Sequence, residues 1–92
     1  MLPPVPLDEA ELRLQIKRVI IDACEKDLRP EDIADDAILV GADSTVIDDS
    51  LDALQAAVAI SKRFGTRIQD GKHARRVMRT VATLAEFIRQ RA

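Results

Sequence analysis

The stretch Asp49-Ser50-Leu51-Asp52-Ala53-Leu54-Gln55-Ala56-Ala57-Val58-Ala59-Ile60-Ser61-Lys62-Arg63-Phe64-Gly65 decides how the chain folds. Asp49 is a natural helix cap, and Asp52 falls in the first turn, where the helix dipole favours negative charge. Leu51, Leu54, Val58 and Ser61 form one stripe at helical spacing, and Ala53, Ala57, Ile60 and Phe64 form a second beside it. Two adjoining stripes suit a helix packed in a bundle. Gly65 supplies the stop, because glycine accepts the left-handed conformation that ends helices. The expected helix is 50–64.

Upstream, residues 8–26 predict a first helix. Leu12, Ile16, Val19, Ile20 and Ala23 share one helical face. Asp8 and Glu11 have capping-box spacing, and Leu7 with Leu12 have that of a hydrophobic staple. Pro3, Pro4 and Pro6 mark residues 1–7 as a flexible, extended leader, which leaves 8–90 as a single domain. Residues 27–48 form a long connection. Pro30 opens one helical turn within it, Pro30 to Ile33, and Leu28, Ile33, Ile38, Leu39 and Val40 anchor it to the core. Loops of this length are often functional.

Downstream, Asp70 is placed to cap a short helix around Lys72–Val77. Thr80 caps a last one, with Val81, Leu84, Ala85, Phe87 and Ile88 as its apolar side. No stretch alternates with period two. The expected fold class is all-α: a small antiparallel bundle of three main helices plus one short helix, with a long first loop.

Composition agrees. The chain has 92 residues, enough for one small domain. Its 47% hydrophobic and 33% charged content excludes intrinsic disorder. Phe64 and Phe87 are the only aromatics, so the core is aliphatic, which disfavours a β-sandwich or barrel. A single cysteine, Cys24, excludes an internal disulfide, and with one histidine, His73, a metal centre is not expected. Cys24 is expected as a packed side chain and His73 as a solvated one. No apolar run reaches membrane-spanning length, and Met1 to Pro6 lacks the basic and apolar regions of a signal peptide, so cytoplasmic residence is the expectation.

Charge is unevenly placed. Residues 1–61 carry five Lys/Arg against fourteen Asp/Glu, whereas residues 62–92 carry nine against two. The halves therefore differ in sign, −9 and +7. Nucleic-acid binding is not expected, because no aromatics interleave the arginines to stack on bases.

Asp49-Ser50-Leu51 before an apolar helix, with Phe64-Gly65 closing it fifteen residues after the Asp, resembles the acyl carrier protein family. Gly65 to Asp70 is similar to the family's Gly-x-x-Ile-x-Asp, and Thr80-Val81 through Phe87-Ile88 to its closing helix. The likeness spans roughly residues 9–90. It implies a non-enzymatic, monomeric carrier in fatty-acid or polyketide biosynthesis, with 4′-phosphopantetheine attached to Ser50 and Asp49 and Leu51 flanking it. Acyl groups would travel as thioesters on the arm's thiol. It further implies a phosphopantetheinyl transferase, an acyl-loading enzyme and a ketosynthase-type condensing enzyme as partners, contacting Asp48, Asp52 and Gln55, with no membrane insertion. The physical logic agrees, since a helix N-terminus offers unpaired N–H groups and a dipole suited to a phosphodiester.

Val40-Gly41-Ala42-Asp43-Ser44 matches the family's motif locally and makes Ser44 the competing attachment site. Ser50 is favoured because Ser44 precedes Thr45 and stands at the wrong distance from Phe64. The family lines its second helix with glutamates, whereas this one has Gln55, Ala56, Ala59, Lys62 and Arg63. Residues after Asp70 are unusually basic: Lys72, Arg75, Arg76 and Arg79. Together these resemble specialised carriers of secondary-metabolite or unusual-lipid clusters, such as the aryl-polyene type. Arg75 and Arg76 would either repel generic fatty-acid enzymes or pair internally with Asp35, Asp36 or Asp43. Leu54, Val58, Ile60, Leu84 and Ile88 are the expected wall of a cavity for an acyl chain, not a preformed pocket, with the alanines of the second helix leaving space for the guest to enter between helices. Two rival functions stand: an aminoacyl or peptidyl carrier, and a small interaction module that binds non-covalently through its basic half.

Overall fold

In the computed structural model, which describes residues 8–40, 46–47, 50–68 and 71–91, the chain is a bundle of four helices. They are α1 (Glu9–Ala23), α2 (Ser50–Phe64), α3 (Gly71–Val77) and α4 (Val81–Arg91), with a 3₁₀ turn at Pro30–Asp32 inside the first connection. Among the described residues there is no strand, only an isolated parallel bridge between Val40 and Ile47. None of the described helices is long and apolar enough to cross a membrane. The leader, Asp70, Gly41 to Thr45, and the acids Asp48 and Asp49 lie outside the described residues.

Helix α1 is the spine, packed against both α2 and α4. Asp8 caps it by accepting from the Ala10 N–H at 2.9 Å. Glu11 does not close the expected capping box; its carboxylate accepts from Gln15 one turn on. Leu7, the other half of the staple, lies outside the described residues. The helix ends at Ala23, three residues short of the expected stop. Glu25 takes φ 53°, and its N–H donates to the Asp22 carbonyl while that of Lys26 donates to the Ile21 carbonyl. Those two bonds are a Schellman closure, built here on a residue other than glycine.

Helix α2 has the expected bounds, and Gly65 closes it at φ 70°, donating to the Ser61 carbonyl. Its orientation differs from expectation. Ala56, Ala57, Ile60 and Phe64 are buried, whereas Leu51, Leu54 and Val58 are 62%, 61% and 44% exposed. Helix α2 packs against α1, and small side chains on its buried face allow a close approach while the larger aliphatics are left on the outside. Arg63 crosses to α1, donating to Gln15 at 2.6 Å, with its guanidinium over the Phe64 ring.

The long connection is pinned at several points. Ile33 and Leu39 are buried, Leu28 and Val40 are partly so, and Ile38 points outward instead of anchoring. Val46 and Ile47 are additional anchors, and the Ile47 N–H donates to the Leu39 carbonyl. The Leu39 N–H donates to Arg79, and the Asp35 carbonyl takes the Ala82 N–H, an amide in the first turn of α4. That bond satisfies one of the orphan donors that begin any helix. Thr80 caps α4 as expected, its hydroxyl accepting from the Thr83 N–H at 3.0 Å. All five apolar residues expected on α4 are buried, joined by Val77 and Met78.

Candidate functional site

The candidate site is the start of α2. Ser50 is its first residue, following a chain that Val46 and Ile47 anchor in the core three residues earlier. The amides of the first turn have no acceptors within the helix and offer donors to an anion. Leu51 is exposed beside Ser50, and Gln55 is exposed one turn further on. Asp48, Asp49 and the competing Ser44 lie outside the described residues.

The Asp52 side chain is mostly buried, and its carboxylate meets Lys26 Nζ at 3.2 Å. Its backbone carbonyl accepts from Cys24 Sγ at 3.5 Å. The last residues of α1 therefore hold the first turn of α2 from its inner side. This engagement qualifies the expectation that Asp52 meets a partner, since its charge already faces a cation of the same molecule. Cys24 is the packed side chain expected from the sequence. His73 differs from its expected solvated state: its ring lies edge-on to Phe87, with centroids 5.5 Å apart.

The five residues expected to line an acyl chain are divided between the core and the outside. Ile60, Leu84 and Ile88 are fully buried in the common core, while Leu54 and Val58 face outward. A cleft of about 460 Å³ lies instead between α1 and the 3₁₀ turn, bordered by Arg13, Leu14, Lys17, Arg18, Pro30 and Asp35. Lys17 and Arg13 hold the Asp35 carboxyl below the ordinary aspartate range, chiefly through hydrogen bonds, at 2.7 and 2.9 Å. With Asp35 taken by α1, the internal pairing considered for Arg75 and Arg76 has lost its first candidate. Both arginines are exposed on α3.

Reading the sequence missed the outward stripe of α2. The signal was present in Leu51, Leu54 and Val58, but size suggested core. No protein-family model matches this chain, and no curated protein or solved structure matches it.

Proposed function

We propose that this protein is an acyl carrier, with 4′-phosphopantetheine joined to Ser50. One observation carries the reading: a serine opens a fifteen-residue helix that Phe64 ends and Gly65 stops at positive φ. This is the register in which the resemblance sets the attachment serine against its Phe-Gly closure. The group fits the chemistry of the place. A phosphodiester there accepts hydrogen bonds from first-turn amides that have no partner in the helix, and it sits at the positive end of the dipole.

Attachment is a phosphoryl transfer. The Ser50 hydroxyl oxygen bonds to the phosphorus that bears the pantetheine in coenzyme A, the pyrophosphate bond breaks, and adenosine 3′,5′-bisphosphate leaves. The serine proton passes to the transferase or to solvent. The arm supplies a thiol that holds an acyl group as a thioester. The chain's own residues position it: Lys26 and Cys24 brace the first turn of α2 from within, and Leu51 and Gln55 border it outside.

Intact mass after incubation with coenzyme A and a broad-specificity transferase tests the reading. The expected result is one added phosphopantetheine, lost in Ser50→Ala and retained in Ser44→Ala. An unchanged mass overturns the proposal, and labelling lost only in Ser44→Ala moves the site.

A further inference from the structure

Helix α1 borders a cleft on its outer side. Ala10, Arg13, Leu14, Lys17 and Arg18 fall at i, i+3, i+4, i+7 and i+8, one helical face turned away from the buried Leu12 and Ile16. Pro30 and Glu31 of the 3₁₀ turn form the facing wall. The space between is about 460 Å³, within the usual range of a small-molecule site. Ala10, Leu14 and Pro30 give it apolar surface. Its charges do not cancel. Asp35 meets Lys17 Nζ at 2.7 Å and Arg13 Nη1 at 2.9 Å. Glu9 meets Arg13 Nη2 at 3.1 Å and lies 3.6 Å from Arg89 Nη1. Arg13, Lys17, Arg18 and Arg89 therefore face Glu9, Glu31 and Asp35, four cations against three carboxylates. Donors are in excess as well. Lys17 carries three N–H groups, of which one meets Asp35. Arg13 Nε is buried without a hydrogen-bond partner, and Arg18 is exposed at the rim with no ion pair among the described residues.

We propose that this cleft binds a small organic monocarboxylate, with the carboxylate on Arg18 and Lys17 and the apolar body against Leu14 and Pro30. An anionic oxygen is the group the cleft lacks, because its cations and N–H donors outnumber its acceptors. The excess is a single charge, and Glu31 stands on the facing wall, so a monoanion suits the site and a phosphate dianion is opposed by the carboxylate. The apolar lining asks for a body that water does not compete for, and a planar one gains further from the Arg18 guanidinium, which stacks on aromatic faces. Arg18 can turn to the ligand at little cost, since it breaks no ion pair of the described residues. Lys17 keeps its bond to Asp35 and gives a second N–H. The site is made by α1 and the first connection and uses neither Ser50 nor the arm proposed for it.

Benzoate is the probe, titrated into the full chain at fixed ionic strength and followed by backbone amide NMR shifts. Shifts at Leu14, Lys17, Arg18 and Glu31 should saturate with a Kd of about a millimolar. Arg18→Gln should weaken binding about fivefold or more, whereas Glu31→Gln should tighten it about twofold or more by removing a like charge. Both side chains are exposed, so circular dichroism should be unchanged in either variant. Benzamide, neutral and of nearly the same shape, should bind at least about fivefold more weakly than benzoate, and so should inorganic phosphate. Shifts that do not saturate, or that gather elsewhere on the chain, overturn the proposal, as does wild-type affinity in either variant. Benzamide binding as tightly as benzoate makes the cleft an apolar site, and phosphate binding as tightly makes it a general anion site; either overturns the proposal. The carrier reading fails separately, through an unchanged mass of the wild-type chain with coenzyme A and transferase.

Discussion

Lys26 Nζ lies 3.2 Å from Asp52 Oδ2, tying the residue just past the end of α1 to the first turn of α2. Both side chains are mostly buried, so the pair is less screened than one at the surface. The neighbouring Cys24–Asp52 contact holds the backbone of the same turn. Lys26→Met should therefore lower stability by about 1 kcal/mol, read as a lower urea midpoint at unchanged m-value. It should also slow phosphopantetheinylation of Ser50, because the turn that presents the serine loses its brace. A midpoint and labelling rate equal to wild type would remove the brace from the account.

Glu25 occupies the left-handed region at φ 53°, where a side chain crowds the following carbonyl. Glycine removes that crowding while both closing hydrogen bonds stay available. Glu25→Gly should raise stability by about 0.5–1 kcal/mol despite the greater freedom of the unfolded chain. Glu25→Val, β-branched, should lower it. Thermal melts of the two variants in one buffer check both signs.

Asp35 makes stability depend on acidity. Hydrogen bonds from Lys17 and then Arg13 hold its carboxyl below the ordinary range. The unfolded chain therefore binds its proton at higher pH than the folded chain does, and stability rises with pH across that interval. The contribution is complete above about pH 4–5 and is lost as pH falls through the folded-state value. The carboxylate is 41% exposed, so solvent screening limits the effect to about 1 kcal/mol or less. Asp35→Asn should flatten the acid limb of a stability–pH curve and leave its slope near neutral pH unchanged. An acid limb as steep as wild type would assign the effect to other carboxylates.

Helix existence and caps were legible in the sequence where local chemistry sets them. Asp8, Thr80, Gly65 and Pro30 each act where their type predicts. The outward face of α2 was not legible, because its sequence offers two faces and the choice belongs to α1. Leucine size favours Leu54 for the core, but close approach to α1 favours Ala56 and Ala57. The end of α1 was also hidden, since a glutamate in the glycine position of the closure carries no signal. Anchoring by Val46 and Ile47 depends on contacts far along the chain. At the candidate site, the helix and its first residue were legible, whereas the Lys26–Asp52 tie required two segments to meet. The orientation of α2 has a simple check. Leu54→Gln should change stability by no more than about 0.5 kcal/mol, whereas Leu84→Ala should cost about 2–5 kcal/mol.

Arg75 and Arg76 separate recognition from stability. Both are exposed, and Asp35, one of the acids proposed as their internal partner, is occupied by Arg13 and Lys17. Exposed pairs contribute only about 0–1 kcal/mol even where they form. Changing both arginines to glutamate should therefore leave the melting midpoint within about 0.5 kcal/mol of wild type. A recognition role instead predicts a change in partner choice. On the proposed carrier reading, enzymes that grip a carrier with Arg and Lys would meet repulsion from these positions in the wild-type chain, and the double variant would replace it with attraction. Loading by generic fatty-acid enzymes should improve several-fold in the variant, and the gain should shrink at high salt, as exposed charges are screened within about 10 Å at 0.1 M. A lower midpoint with unchanged loading would return these arginines to a structural role, paired with acids elsewhere in the long connection.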